Sequence, residues 1–168
     1  NNHLTGEIPA GIGDLKALTD LHLKNNKLTG EIPAGIGDLK ALTDLHLKNN
    51  KLTGKIPESI GKCRYLKKLD LSWNNLTGEI PGSIGELEAL TDLYLGNNEL
   101  EGKIPDNLYK LSGRLEHIRL RGGNNKLDGY VPRDIRCFDI PIFDIPIITS
   151  IRYFNAQALY FNNKQNIK

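Results

Sequence analysis

Histidine and aspartate recur together in two copies of one segment, and this pairing comes nearest to known site chemistry. Asp20 and His22 are followed 24 residues later by Asp44 and His46. If the two copies lie on neighbouring strands, two imidazoles and two carboxylates come close enough to chelate a divalent metal ion. Duplication of the whole segment explains the same pairs without any metal, and we therefore expect no metal site.

No motif of a familiar enzyme class is present in the sequence. Gly11 and Gly13 form a lone G-x-G that lacks the third glycine of the dinucleotide-binding fingerprint. No serine stands with a histidine and an acid in a recognisable nucleophile motif. We expect a protein that is not an enzyme and that uses no cofactor.

One string of residues recurs along most of the chain. Residues 42–57, LTDLHLKNNKLTGKIP, follow the pattern L-x-x-L-x-L-x-x-N-x-L-x-G-x-I-P. The same string occupies residues 18–33, 66–81 and 90–105. The asparagines that close the copies recur every 24 residues: Asn26, Asn50, Asn74 and Asn98. A period of about 20 to 29 residues with this leucine spacing is typical of a solenoid of stacked repeats.

Each residue type in this string has a structural role. The leucines of L-x-L point inward from a short strand, and the residues between them point outward. The asparagine turns the chain, and its amide bonds backbone groups that no strand satisfies. A glycine column permits a bend that a side chain obstructs: Gly6, Gly30, Gly54 and Gly78. The following Ile-Pro fixes an extended segment, and I-G-x-L forms a short 3-10 or helical turn.

Stacking of these repeats predicts the fold, because one repeat cannot bury its own apolar face. The prediction is an α/β solenoid with short parallel strands on the concave face and 3-10 or helical turns on the convex side. We place the solenoid at residues 1–136, with about five to six repeats. Residues 137–168 are interpreted as an irregular C-terminal cap or tail, since phenylalanine, isoleucine and tyrosine are too frequent there for a solvated linker.

The trailing L-T-G-x-I-P resembles the plant-type, extracellular subclass of the leucine-rich-repeat family, and the resemblance extends over residues 1–135. It implies an extracellular or cell-surface protein. Examples are a receptor ectodomain, a polygalacturonase-inhibitor-like protein and a leucine-rich-repeat antifreeze protein. The resemblance also implies a protein or peptide ligand bound by the concave face.

Bulk properties narrow the classes of partner. The net charge of +2 is no signal for nucleic acid. No apolar run approaches the roughly 18 residues of a membrane span, so we expect no membrane insertion. The sequence starts inside a repeat at Asn1, without a methionine or a signal peptide. We interpret it as a piece of a longer protein.

The outward positions of the predicted strands are the candidate binding site. They form three columns across the repeats, at the strand spacing of about 4.8 Å. The first column is Asp20, Asp44, Lys68, Asp92 and His117, the second is His22, His46, Asp70, Tyr94 and Arg119, and the third is Lys24, Lys48, Ser72, Gly96 and Arg121. A solvated polar surface is the alternative interpretation of the same columns.

Trp73 stands where the other repeats have asparagine, and we expect it to lie beside Tyr94 of the next repeat. Exposed aromatic residues near cationic side chains are typical interface anchors, although a tryptophan lying flat on the strand edge fits equally well. Positive charge rises toward the C-terminal half of the face, which indicates an acidic or carboxylate-bearing partner. The residues concerned are Lys67, Lys68, Arg119 and Arg121.

A second class of function, ice binding, is indicated by the threonines that follow the asparagines. These are Thr5, Thr29, Thr53 and Thr77. A flat, evenly spaced array of Thr and Asn resembles the ice-binding surface of some leucine-rich-repeat antifreeze proteins. Because the ordinary N-x-L-T-G unit of the family produces the same threonines, ligand recognition is the preferred hypothesis.

The two cysteines are predicted to remain unbonded. Cys63 and Cys137 lie about 14 Å apart along the stack by the strand spacing, whereas a disulfide requires Cα atoms within about 7 Å. Cys63 takes the place of a buried leucine, so we expect a packing thiol.

Extra residues interrupt the period at two places. Extra residues near Ser112–Gly113–Arg114 and at 121–124 are predicted to form loops.

In the first coil, Leu4, Ile8, Ile12 and Leu15 are expected to leave one side of the core open to water. Such an edge favours self-association through the N-terminal end.

Overall fold

A computed structural model describes residues 3–129. Cys137 and the predicted cap at 137–168 lie outside these described residues. The strands, in chain order, are β1 (Thr5–Glu7), β2 (Asp20–His22), β3 (Lys27–Thr29), β4 (Asp44–His46), β5 (Lys68–Asp70), β6 (Thr77–Gly78), β7 (Asp92–Tyr94), β8 (Glu99–Lys103), β9 (His117–Arg119) and β10 (Lys126–Asp128). The helical segments are 3-10 helices: η1 (Ala10–Asp14), η2 (Ala34–Asp38), η3 (Glu58–Lys62), η4 (Gly82–Glu86) and η5 (Asp106–Leu111).

The concave face is a five-stranded parallel sheet with the strand order β2-β4-β5-β7-β9. Its register joins equivalent residues of successive repeats, so that Leu45 pairs with Leu69 and Leu69 pairs with Leu93. All three leucines are fully buried, because alternate residues of a strand point to opposite faces. The predicted solenoid with a parallel concave sheet is confirmed.

A second row of short strands forms from the L-T-G segments, and the sequence patterns did not predict it. Strand β1 pairs with β3, and β10, β8 and β6 form a three-stranded sheet. Single bridges join Glu31 to Thr53 and Lys55 to Thr77 between them. The strands form here because the leucine of each segment is held in the core, as in Leu52, which is fully buried. The glycine that follows bends the chain, since Gly54 has a φ of +73°.

The 3-10 helices stack on the convex side, and each begins directly after a proline. In η1, η2 and η4 the second glycine is needed for close packing. A Cβ atom on Gly13 would lie 2.6 Å from the carbonyl oxygen of Gly35, and one on Gly85 would lie 2.5 Å from that of Asn107. The G-x-G of residues 11–13 is therefore a packing element, as the sequence indicated.

A ladder of buried asparagines connects the repeats. The Oδ1 atom of Asn50 accepts a hydrogen bond from the backbone N–H of Leu28 at 3.0 Å. Its Nδ2 atom donates to the carbonyl oxygens of Leu23 and Leu47 at 2.9 and 3.0 Å. Asn74 and Asn98 repeat this pattern. The predicted structural role of these asparagines is confirmed.

Cys63 is a free thiol in the apolar core and is fully buried. Its Sγ atom donates a hydrogen bond to the carbonyl oxygen of Ile36 at 3.2 Å. Burial raises the pKa of this thiol. The prediction of a packing cysteine in a leucine position is therefore confirmed.

The predicted insertions lie outside the regular coil. Asp92 pairs with His117, one residue later than the interval between earlier repeats, and the asparagine ladder resumes at Asn125. Gly113 has a φ of +84° and open space around its Cα atom. Gly122 also has a positive φ. Residues 112–114 form a turn, whereas in the second segment Gly123 forms a β-bridge with Asn98 between a bend and a turn. The extra residues are thus accommodated in loops, as predicted, and the core leucines on either side keep their places.

The first coil is only partly buried. Leu4 and Leu15 are 47% and 52% exposed, which agrees with the expectation of an open side. Ile8 of the same coil is buried, because it packs in the same apolar cluster as Leu28 and Ile32. Self-association through this end stays a prediction. None of the helices within residues 3–129 has the length and apolar character needed to cross a bilayer.

Candidate functional site

The concave sheet brings the first two predicted columns into straight register. Strand pairing joins Asp20, Asp44, Lys68, Asp92 and His117 in one column. It joins His22, His46, Asp70, Tyr94 and Arg119 in the other. Each repeat therefore contributes two neighbouring side chains to one continuous face.

The third column continues beyond the strand ends through backbone hydrogen bonds. The residue after a column member donates to the next column member from Asn25 to Lys48 at 2.9 Å, from Asn49 to Ser72 at 3.0 Å and from Trp73 to Gly96 at 3.0 Å, whereas Asn97 donates to Gly122 and not to Arg121. Ser72 is buried, and its hydroxyl donates to Asp70 Oδ1 at 2.6 Å. This column therefore offers fewer side chains to a ligand than its spacing suggested.

Threonines that precede the strands orient the aspartates of the face. The hydroxyl of Thr43 donates to Asp44 Oδ2 at 2.9 Å, and that of Thr91 donates to Asp92 Oδ2 at 2.6 Å. Thr19 makes the same contact with its neighbour. Sequence reasoning missed these residues, although the repeated T-D pair of LTDL was a usable signal. Their hydroxyls leave the Oδ1 atoms of the aspartates directed to other partners.

Asp92 connects three side chains at the C-terminal half of the face. Besides Thr91, its carboxylate accepts a hydrogen bond from Tyr94 Oη at 3.2 Å and lies 3.0 Å from His117 Nδ1. The Asp92 side chain is only 13% exposed. Burial first, and the Asp92 charge second, raise the pKa of Tyr94 to about 12. This half of the face is thus a preformed polar network.

A second cluster lies at the N-terminal half of the face. The His22 and His46 rings meet at right angles with centroids 4.6 Å apart. His46 Nε2 lies 3.7 Å from Asp44 Oδ1. Ligand atoms of these three residues all lie within 4.8 Å of one another, whereas Asp20 is not part of the group. Burial, and then the charge of His22, lower the pKa of His46.

Trp73 has an unusual backbone conformation. Its φ of +59° matches the φ values of 58°, 56° and 57° at Asn25, Asn49 and Asn97. Asparagine tolerates this left-handed region, whereas a bulky residue there is an outlier. The Trp73 side chain is 55% exposed, so core packing does not account for its presence.

Comparison with known proteins identifies the architecture. A family profile described as leucine rich repeat matches residues 16–76 and 42–100, which together cover just over half of the chain. The chain belongs to the leucine-rich-repeat family. No curated protein sequence matches it.

Solved leucine-rich-repeat structures from plants resemble this chain. The plant peptide hormone receptor RGFR1, in complex with RGF2, is 41% identical, with a TM-score of 0.74, over 79% of this chain and 21% of the receptor. The Arabidopsis receptor kinase HAESA was solved in complex with the peptide hormone IDA and the co-receptor SERK1. It is 37% identical, with a TM-score of 0.73, over 79% of this chain and 22% of the HAESA chain. A chain of the BIR3–SERK2 complex from Arabidopsis thaliana is 38% identical to this chain, with a TM-score of 0.65. The match covers 80% of this chain and 69% of that chain.

These relatives confirm the resemblance to the plant-type, extracellular subclass. The leucine-rich-repeat chain spans about a fifth of the length of RGFR1 and of HAESA. It therefore corresponds to a limited run of repeats in receptors of that size.

The register of the leucine-rich repeats places the two candidate binding aromatics, Trp73 and Tyr94, apart from each other. Tyr94 lies beside Asp70 and Arg119 in the sheet. The residue beside Trp73 is Asn97, three positions beyond Tyr94. At the rise of an extended chain this corresponds to about 10 Å along the strand direction. The expectation that Trp73 stands directly beside Tyr94 was therefore wrong, and the two rings mark different places on one face.

The threonines proposed for ice binding do not form a straight column. Thr29 pairs with Glu7, Thr53 with Glu31 and Thr77 with Lys55, a slip of two residues relative to the concave sheet. Successive threonines are consequently about 8 Å apart on a diagonal, from the strand spacing and a two-residue rise. Charged side chains lie between them. A flat Thr array was a wrong expectation, because the second row of strands is inclined to the stacking direction.

We expect the Tyr94 phenol to ionise at about pH 12, above its ordinary value of 10.0. Because the folded-state pKa is raised, the resulting contribution to stability is complete below pH 10 and disappears as pH rises through about 12. The phenolate absorbance difference between the unmodified chain and Tyr94→Phe measures this ionisation. Asp92→Asn should lower the pKa, since a nearby negative charge opposes ionisation. A difference spectrum titrating at the ordinary pKa would contradict the prediction.

Proposed function

We propose that this chain is part of an extracellular or cell-surface leucine-rich-repeat protein of the receptor type, and that its concave face binds a protein or peptide ligand without catalysis. The similar structures RGFR1 and HAESA were solved with RGF2 and with the peptide hormone IDA, respectively. Their identity to this chain supports the same class of ligand here.

The observation that carries the proposal is the conformation of Trp73. A left-handed backbone disfavours ordinary L-residues by about 1–2 kcal/mol, and three other repeats place asparagine at the equivalent position. The tryptophan side chain is mostly exposed, so it gains little from the core. A residue that is locally unfavourable and solvent-exposed is typical of functional sites. A large, rigid aromatic surface is also the commonest kind of binding anchor.

Charge along the face suggests the remaining chemistry of the ligand. Lys67 immediately precedes β5, the strand that leads to Trp73, Lys68 is the first residue of β5, and both are exposed. His117 and Arg119 lie on β9, which is separated from β5 by β7, and the side chain of His117 is 46% exposed. We infer a peptide segment with an apolar or aromatic group for Trp73 and a carboxylate for Lys67, Lys68 and Arg119. The Asp92 network beneath them keeps this half of the face preorganised, which reduces the entropy lost on binding.

Substitution of Trp73 by asparagine tests the proposal, because it should separate binding from folding. Peptides selected from a displayed random library on the unmodified chain should bind the Trp73→Asn variant at least about 30-fold more weakly, which corresponds to roughly 2 kcal/mol. The same variant should unfold at a higher temperature, with a gain of about 1 kcal/mol from relief of the left-handed tryptophan. Isothermal titration calorimetry and thermal unfolding measure the two effects.

Tyr109→Ala is the matched control, because Tyr109 is 59% exposed and lies in η5 on the convex side. Its removal should leave peptide affinity within about twofold. Equal affinity of the selected peptides for the Trp73→Asn variant would contradict recognition through this face. Thermal hysteresis of the unmodified chain, lost on a bulky replacement of Thr53 but retained in Trp73→Asn, would instead favour the ice-binding alternative.

A further inference from the structure

We propose that His22, Asp44 and His46 form a binding site for a divalent transition-metal ion of the kind that prefers imidazole ligands, with zinc(II) as the probe. The proposal replaces the expectation of no metal site that followed from the sequence. It stands on the geometry of the N-terminal half of the face and does not depend on the proposed ligand of the other half.

The two histidines come from equivalent positions of adjacent parallel strands. Residues 22 and 46 pair directly, so their side chains leave the sheet on the same face at the strand spacing of about 4.8 Å. Their ring centroids are 4.6 Å apart, and the donor atoms of both rings and of Asp44 lie within 4.8 Å of one another. Two imidazoles and one carboxylate are a common set of three protein ligands for zinc.

The distances require only a small movement of side chains. Tetrahedral zinc with ligands at about 2.0–2.2 Å has ligand atoms roughly 3.4 Å apart. His46 Nε2 and Asp44 Oδ1 are already 3.7 Å apart. His22 is exposed and unconstrained by the core, so rotation of its side chain closes the remaining distance. The fourth coordination position faces solvent and is available to water.

The surroundings support a cation at this place. The Thr43 hydroxyl donates to Asp44 Oδ2 and thereby orients the carboxylate, which is the usual role of a residue behind a metal ligand. Asp70 lies directly beside His46 on the next strand and adds negative charge.

Duplication of a segment accounts for two copies of the D-L-H sequence, but it does not by itself build a site. The same face positions in the next two repeats are occupied by Lys68 with Asp70 and by Asp92 with Tyr94. Among the described residues, three potential ligands converge only where two D-L-H strands are adjacent. The arrangement therefore depends on the stacking of these two strands.

Titration of zinc chloride into the metal-free chain, followed by calorimetry, tests the site. The unmodified chain should bind one equivalent, and His22→Gln or His46→Gln should each weaken binding by at least about 100-fold, more than is usual for loss of a residue behind the ligands. Thr43→Val should weaken it by about tenfold, because Asp44 loses its orienting hydrogen bond. Cobalt(II) should give the visible absorption of a tetrahedral complex, and both histidine variants should lose it.

His117→Gln is the matched control, because His117 is a histidine of the same face that lies beside a single carboxylate, Asp92, and outside the cluster. The zinc affinity of the His117→Gln variant should equal that of the unmodified chain. Circular dichroism of every variant checks that the solenoid is intact. Unchanged affinity in His22→Gln and His46→Gln, or the absence of one-equivalent binding by the unmodified chain, would overturn the proposal.

Discussion

Replacement of Asn74 by alanine is expected to lower the free energy of unfolding by about 3 kcal/mol. Asn74 Oδ1 accepts a hydrogen bond from the backbone of Leu52 at 3.1 Å, and Nδ2 donates to the carbonyl oxygens of Leu47 and Leu71 at 3.1 Å. Alanine leaves the Leu52 N–H buried without a partner, whereas the carbonyl oxygens of Leu47 and Leu71 each keep one donor, from Asn50 and Asn98. The unsatisfied N–H costs about 1–3 kcal/mol, and the two lost bonds to the carbonyl oxygens add about 0.5–1.5 kcal/mol each, a sum that partial access of water reduces.

The adjacent residue supplies the control for this prediction. Asn75 is exposed, and Asn75→Ala should change the free energy of unfolding by no more than about 0.5 kcal/mol. Urea unfolding followed by circular dichroism measures both variants. A midpoint for Asn74→Ala equal to that of Asn75→Ala would mean that the asparagine ladder does not stabilise the stack.

Replacement of Gly85 by alanine is expected to destabilise the protein by a similar amount, about 3 kcal/mol, for a steric reason. The added Cβ atom would lie 2.5 Å from the carbonyl oxygen of Asn107 and 2.6 Å from its Cβ atom. Both contacts are with rigid parts of η5, the next convex helix. The helices η4 and η5 must then move apart, which also disturbs the buried Ile84 and Leu108.

Gly82→Ala is the matched control, since Gly82 begins the same 3-10 helix. A Cβ atom on Gly82 meets only the side-chain Nδ2 atom of Asn107, at 3.7 Å, which is an ordinary contact. Neither glycine has a positive φ, so alanine is sterically permitted at both positions and the comparison isolates packing. Equal thermal midpoints for Gly85→Ala and Gly82→Ala would show that the convex helices tolerate wider spacing.

The repeat itself determined the concave sheet. A constant interval between leucines forces the same inward position onto each coil, and burial of that position then dictates the direct pairing of Leu45, Leu69 and Leu93. The asparagines were equally predictable, because a buried turn requires a side chain with both a donor and an acceptor. The columns of outward-facing residues on the candidate face were predictable from the same constant repeat interval.

Two geometric features of the candidate site were decided only by the tertiary structure. Periodicity states which residues are equivalent, but not how steeply a segment is inclined to the stacking direction. The second row of strands slips by two residues, and this slip places charged side chains between Thr29 and Thr53. The separation of Trp73 from Tyr94 likewise depends on where each residue lies along its coil.

For the candidate metal ligands and for Trp73, the sequence likewise determined one part and the tertiary structure the other. The sequence alone located His22, His46 and Asp44 and gave a sufficient reason, duplication, for their presence. Their convergence within 4.8 Å depends on side-chain orientations that the Thr43 hydroxyl and the neighbouring strands impose. The left-handed backbone of Trp73 is also invisible to pattern reasoning, because it is inherited from the asparagine position of the other repeats. Residue spacing thus determined the stack and its register, whereas contacts between coils decided the distances on which binding depends.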